Sequence, residues 1–130
     1  MTESKLRPGD QLPEWSLPLT PTTIVSTAIA TRDWQDVHHD RDVAQGAGSK
    51  DIFMNILTTN GLVEKFVADW VGHDCELKGI AIRLGAPAHP YDTLTFSGTV
   101  SEVSDGVATI DIVGRVSLGD HVTGTVKVAV

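Results

Sequence analysis

The chain has 130 residues, 41% of them hydrophobic, which is enough for one domain with a real core. Its formal charge of −7 and pI near 5.0 argue against a nucleic-acid or anionic-membrane surface. An anionic ligand would depend on locally gathered cations or on a partner. The single cysteine, Cys75, excludes an internal disulfide and fits a reducing cytoplasm. No apolar run follows Met1–Lys5, so no signal peptide is predicted, and the apolar-rich stretch 52–71 carries too many polar residues to span a membrane.

Residues 1–16 read as an N-terminal arm with one short strand around Leu12 and Trp15, ahead of a single domain over 17–130. The uninterrupted β-branched run Thr23–Thr31 predicts a strand. Residues 33–49 are rich in charge and glycine and read as a loop. A helix is predicted over 51–71, with Ser49 as its cap, Asp51 in its first turn, and Ile52, Ile56, Val63, Val67 and Trp70 on one face. So much of its circumference is apolar that it should be largely enclosed. Gly61 inside it costs about 1 kcal/mol against Ala, which predicts a close approach there, and Gly72 ends it.

Beyond Gly72 the apolar period becomes two. Ile80, Ile82 and Leu84 mark one strand, and Leu94, Phe96 and Val100 a second. Asp105-Gly106 marks a hairpin turn, then Ala108, Ile110 and Ile112 follow. Val122, Val126, Val128 and Val130 line a last strand, expected to lie at a sheet edge. One enclosed helix followed by antiparallel strands predicts an α+β fold: a sheet wrapped around a central helix, the order of the hot-dog fold.

The candidate site lies in Asp33-Trp34-Gln35-Asp36-Val37-His38, followed by His39. A carboxylate and an imidazole five residues apart on a turn suit general acid–base work on a water. The competing reading is an ordinary turn with an exposed histidine; position at the mouth of the enclosed helix favours the site. His38-His39-Asp40 also suggests a metal, but adjacent histidines rarely face one ion and no third ligand stands at a suitable spacing. There is no Gly-x-Ser-x-Gly elbow, and Asp51, Glu64 and Asp69 read as helix-end or solvated carboxylates.

The Asp33…His38 stretch resembles the Asp-x-Asn-Pro-(Leu/Val)-His signature of the MaoC-like (R)-specific enoyl-CoA hydratases, with Asp36-Val37 where that family has Asn-Pro. Arg83-Leu84-Gly85-Ala86-Pro87 and Tyr91-Asp92-Thr93-Leu94 are similar to a second segment of the family. The Asp-Val filling, and Met54-Asn55 in place of His-Gly, resemble a branch that hydrates steroid side-chain enoyl-CoA as a heteromer of two MaoC-like chains. The resemblance implies water addition to an α,β-unsaturated acyl-CoA, with Asp33 and His38 catalytic. It further implies substrate contacts from Arg32, Arg41, Lys50 and Asn55, and oxyanion donors among the N–H groups of 52–55. No cofactor is implied, since coenzyme A belongs to the substrate. The alternatives are a non-catalytic hot-dog subunit shaping a partner's acyl pocket, and a hot-dog acyl-CoA thioesterase.

Overall fold

The computed structural model describes residues 6–130. Five strands, β1 (Gln11–Pro18), β2 (Leu77–Leu84), β3 (Thr93–Ser104), β4 (Val107–Val116) and β5 (Gly119–Ala129), form one antiparallel sheet in the order β1-β3-β4-β5-β2. The sheet curls around α3 (Ile56–Val71), which is the hot-dog arrangement. Its concave face presents Leu94, Phe96, Val100, Ile110, Ile112, Val122 and Val126, each 0–1% exposed, to Val63, Phe66 and Val67 of α3. Fully burying a side chain of this size contributes about 1.5–3 kcal/mol, so this seam carries the fold. Gly98 lets the helix approach, because a Cβ there would lie 3.3 Å from Phe66 Cε2. The Asp105-Gly106 hairpin forms as expected, both residues having positive φ.

Several expectations are corrected. The run Thr23–Thr31 is a helix, α1 (Pro21–Ala30), with only Thr31 outside it. Thr20 caps it by accepting from Thr23 N–H at 3.0 Å, and Pro21 occupies its first turn. Ile24 and Ala28, four residues apart, are buried, so packing overrides the β-branched propensity. The 33–49 stretch holds a 3-10 turn (Asp36–His38) and a short helix, α2 (Arg41–Gly46), capped by Asp40.

The central helix starts at Ile56, not near residue 51, and its cap is Asn55, while the Ser49 hydroxyl donates to Asp51 O. Nothing lies within 4 Å of where a Cβ on Gly61 would sit, so no close approach explains that glycine. The helix is not fully enclosed, since Ile56 and Leu57 are each 53% exposed. β5 lies between β4 and β2, so the last strand is interior and the sheet edges are β1 and β2. Strand order is set by tertiary pairing that an apolar pattern does not encode. β1 spans residues on both sides of the expected boundary at 16/17 and pairs with β3 from Gln11 to Pro18.

Candidate active site

Asp33 is delivered by the end of α1. Arg32 adopts a left-handed conformation (φ 57°), and its N–H donates to Ile29 O while Asp33 N–H donates to Ala28 O. This reversal turns the chain back toward the start of α3. The following 3-10 turn brings His38 round, so that Nε2 lies 3.3 Å from Asp33 Oδ2. His38 is buried, whereas about a quarter of the Asp33 side chain (24%) is exposed.

Both groups are oriented from outside their own turn. His38 Nδ1 donates to Phe53 O at 2.7 Å, and Phe53 N–H donates to Val37 O at 3.3 Å. The Phe53 ring meets the imidazole edge-on, centroids 5.0 Å apart. A carbonyl oxygen only accepts, so the neutral ring carries its hydrogen on Nδ1 and turns the Nε2 lone pair toward Asp33. Asp33 Oδ1 accepts the Gln35 N–H at 3.2 Å and Oδ2 accepts from Asn55 Nδ2 at 3.2 Å. The Asn55 bond, then the Gln35 bond, hold the Asp33 carboxyl below its ordinary range; partial burial opposes them and His38 adds to them.

With its ring in the neutral form, His38 and the ionised Asp33 are two acceptors side by side. They suit a molecule with two O–H donors, which is a water. They open on a cleft of about 320 Å³ lined further by Phe53–Ile56 and by Leu84–Pro87, with Gln35 and His121 also lining it. The N–H groups of Ile52, Phe53 and Met54 are spent on Asp51, Val37 and Ala88. Those of Asn55 and Ile56, at the open end of α3, have no such acceptor among the described residues, so the expected donor segment narrows to its last residue and the next.

The predicted substrate contacts are not all gathered here. Asn55 lines the cleft but is 2% exposed, and its amide is occupied by Thr31 Oγ1 (2.8 Å), Asp33 and the Thr58 N–H. Arg41 and Lys50 line a separate cleft of about 470 Å³ with Asp51, His89 and Asp92, and Arg32 lines neither cleft. His39 is outside the cleft, 3.5 Å from Asp36. Among the described residues, no three or more His, Cys, Asp or Glu side chains are arranged to hold a metal ion. Sequence reasoning missed the supports: Phe53 O, the Gln35 N–H, Thr31 and buried His121. Only Asn55, a cap-type residue before an apolar helix, carried a local signal.

The model of the MaoC like domain matches residues 6–122. A protein of Mycobacterium tuberculosis, "3-oxo-4,17-pregnadiene-20-carboxyl-CoA hydratase beta subunit", is 59% identical over 121 residues, 93% of this chain and 94% of that protein. The chain belongs to the MaoC-like family. A chain of the ChsH1-ChsH2 complex of M. tuberculosis superposes with a TM-score of 0.93 at 58% identity, covering 95% of this chain and 97% of that one. The MaoC-like fold extends to the (R)-hydratase of A. caviae, with a TM-score of 0.88 at 17% identity over 97% of this chain and 98% of the other. At that identity the likeness concerns the hot-dog fold alone. No helix among the described residues is long and apolar enough to cross a membrane.

Proposed function

We infer that this chain is the Asp/His-bearing subunit of a heteromeric enoyl-CoA hydratase, adding water to a bulky steroid side-chain enoyl-CoA. The observation that carries the reading is the Asp33–His38 pair, two oriented acceptors at the mouth of a cleft, in a MaoC-like chain. The relative named as a steroid-CoA hydratase subunit, at 59% identity, supports the substrate class.

A water donating to Asp33 Oδ2 and His38 Nε2 loses a proton to one of them as its oxygen attacks the β-carbon. The electron pair of the double bond moves toward the thioester carbonyl, and the α-carbon then takes a proton back from the acid so formed. The N–H groups of Asn55 and Ile56 at the positive end of α3 support the enolate-like oxygen. The Asn55 side chain acts here through Asp33 rather than on the substrate, because its amide is already occupied. Arg41 and Lys50, neighbours on the second cleft, and Arg32 beside Asp33 are the cations assigned to coenzyme A phosphates. No cofactor enters the scheme, and the single cysteine accords with a cytoplasmic setting.

The partner is a second MaoC-like chain. Trp34 (64% exposed), Ile56, Leu57 and Leu84 (38%) leave apolar surface around the cleft, and among the described residues β2 is an unpaired sheet edge. A chain covering these groups completes the acyl pocket and relieves the shortage of cations. The test is a screen of enoyl-CoAs of rising bulk against the co-expressed pair, following loss of the conjugated double bond. Hydration is expected to peak with bulky acyl groups. Release of free coenzyme A without a 3-hydroxyacyl product overturns the reading in favour of a thioesterase.

A further inference from the structure

His121 is a buried histidine that the water-adding chemistry leaves unused. It sits on β5, 2% exposed, and lines the cleft. Nδ1 donates to Ala86 O at 2.7 Å, and Nε2 lies 2.8 Å from Thr59 Oγ1. Because the carbonyl only accepts, the hydrogen is on Nδ1, and the neutral ring accepts the Thr59 hydroxyl at Nε2. Burial disfavours the imidazolium, against a smaller opposing effect of the Ala86 bond, so the neutral form prevails.

One bond reaches α3 and the other reaches Ala86, which lines the cleft. Thr59 is fully buried in α3, one turn beyond Asn55, and its N–H donates to Asn55 O. Ala86 belongs to the Leu84–Pro87 wall. The backbone of that wall is tied to β5 by Gly85 N–H to His121 O and Ala86 N–H to Asp120 O, both 2.8 Å. A Cβ at Gly85 would collide with the Asp120 carbonyl oxygen, so this seam is closed tightly. Just past the wall, Met54 N–H donates to Ala88 O at 3.0 Å, which ties that end of it to the segment leading into α3. Within the wall itself, Ala86 is joined to α3 through the His121 imidazole.

We propose that His121 and Thr59 form a spacer that sets the width of the cleft between α3 and the Leu84–Pro87 wall, making His121 a positioning residue that determines which acyl groups fit. The proposal deepens the hydratase reading and rests on it for the identity of the ligand. Truncating either half of the spacer loosens the wall, which stays anchored at Ala88 and on β5, and should penalise large acyl groups more than short ones.

The experiment uses the complex with the partner chain and three variants of this one. Thr59→Val keeps the shape without the hydroxyl, Thr59→Ser returns the hydroxyl, and His121→Asn keeps a donor toward Ala86 but does not reach Thr59. Calorimetry measures binding of a saturated steroid side-chain acyl-CoA and of butyryl-CoA, neither of which can be hydrated; turnover is measured on the matching enoyl-CoAs. Thr59→Val and His121→Asn should weaken the bulky ligand about tenfold relative to the short one, as loss of one buried hydrogen bond implies. KM for the bulky enoyl-CoA should rise in step, with kcat within about threefold, and Thr59→Ser should recover most of the loss. A lower Tm with an unchanged bulky-to-short ratio, or Thr59→Ser as defective as Thr59→Val, overturns the proposal. If His121→Asn does not fold, the two Thr59 variants decide. A wild-type complex that binds both ligands yet hydrates neither enoyl-CoA removes the hydratase reading, and the binding ratios still judge the spacer. One that binds neither ligand overturns both.

Discussion

Asn55 Nδ2 lies 3.2 Å from Asp33 Oδ2, the same oxygen that faces His38 Nε2 at 3.3 Å. Through its Oδ1, Asn55 also caps α3 by accepting the Thr58 N–H at 3.1 Å. One side chain therefore starts the central helix and aims the carboxylate. Asn55→Ser retains a capping oxygen but cannot span to Asp33, so it separates the two tasks. We expect kcat to fall about tenfold, the equivalent of one hydrogen bond, with little loss of Tm. The Asn55 bond is the largest cause of the lowered Asp33 pKa. Removing it raises that pKa, so the acid limb of the kcat/KM profile should move to higher pH. An unmoved limb would mean that Asn55 serves only the helix.

Asp33→Asn and His38→Ala should each lower kcat about 10²–10⁴-fold, the span usual for a general acid or base. On the proposed reading the two share one water, so the double variant should be little worse than either single one. Folded single variants with near wild-type turnover would remove both residues from the chemistry.

His39→Ala should leave kcat within about threefold of wild type, because His39 pairs with Asp36 outside the cleft while His38 faces Asp33. A loss matching that of His38→Ala would contradict this assignment of the two neighbours.

Acid should destabilise the fold through His121. Burial holds its pKa below the ordinary value, with the Ala86 bond opposing, so below about pH 6.5 the unfolded chain takes up a proton that the folded chain does not. Stability present above that value therefore declines as the pH falls through it, until the folded pKa is reached. A Tm profile from pH 7.5 to 5.0 should slope down in wild type and less in His121→Asn. Equal slopes would assign the acid sensitivity to other groups.

The sequence made Asp33 and His38 legible because they lie five residues apart on one turn and need no tertiary contact to be noticed. The sheet was legible too: the alternation of Leu94, Phe96 and Val100, and of Ala108, Ile110 and Ile112, survives as the buried face. What holds the site was not, since Phe53 O and Asn55 reach His38 and Asp33 across 15 and 22 residues. The run Thr23–Thr31 misled because β propensity reflects packing on a pleated surface, and here Thr20-Pro21 supplies a helix start instead. The apolar pattern puts β5 at an edge because sequence order says nothing of β2 pairing beside it.

The most direct test of the central claim is turnover of a steroid side-chain enoyl-CoA by this chain alone, by this chain co-expressed with a MaoC-like partner, and by that pair carrying His38→Ala in this chain. Strong hydration by the pair, little by the isolated chain, and a loss of about 10²-fold or more with His38→Ala is the predicted result. A stable homo-oligomer with full turnover on its own would contradict the heteromeric account, and a pair indifferent to His38→Ala would contradict the site.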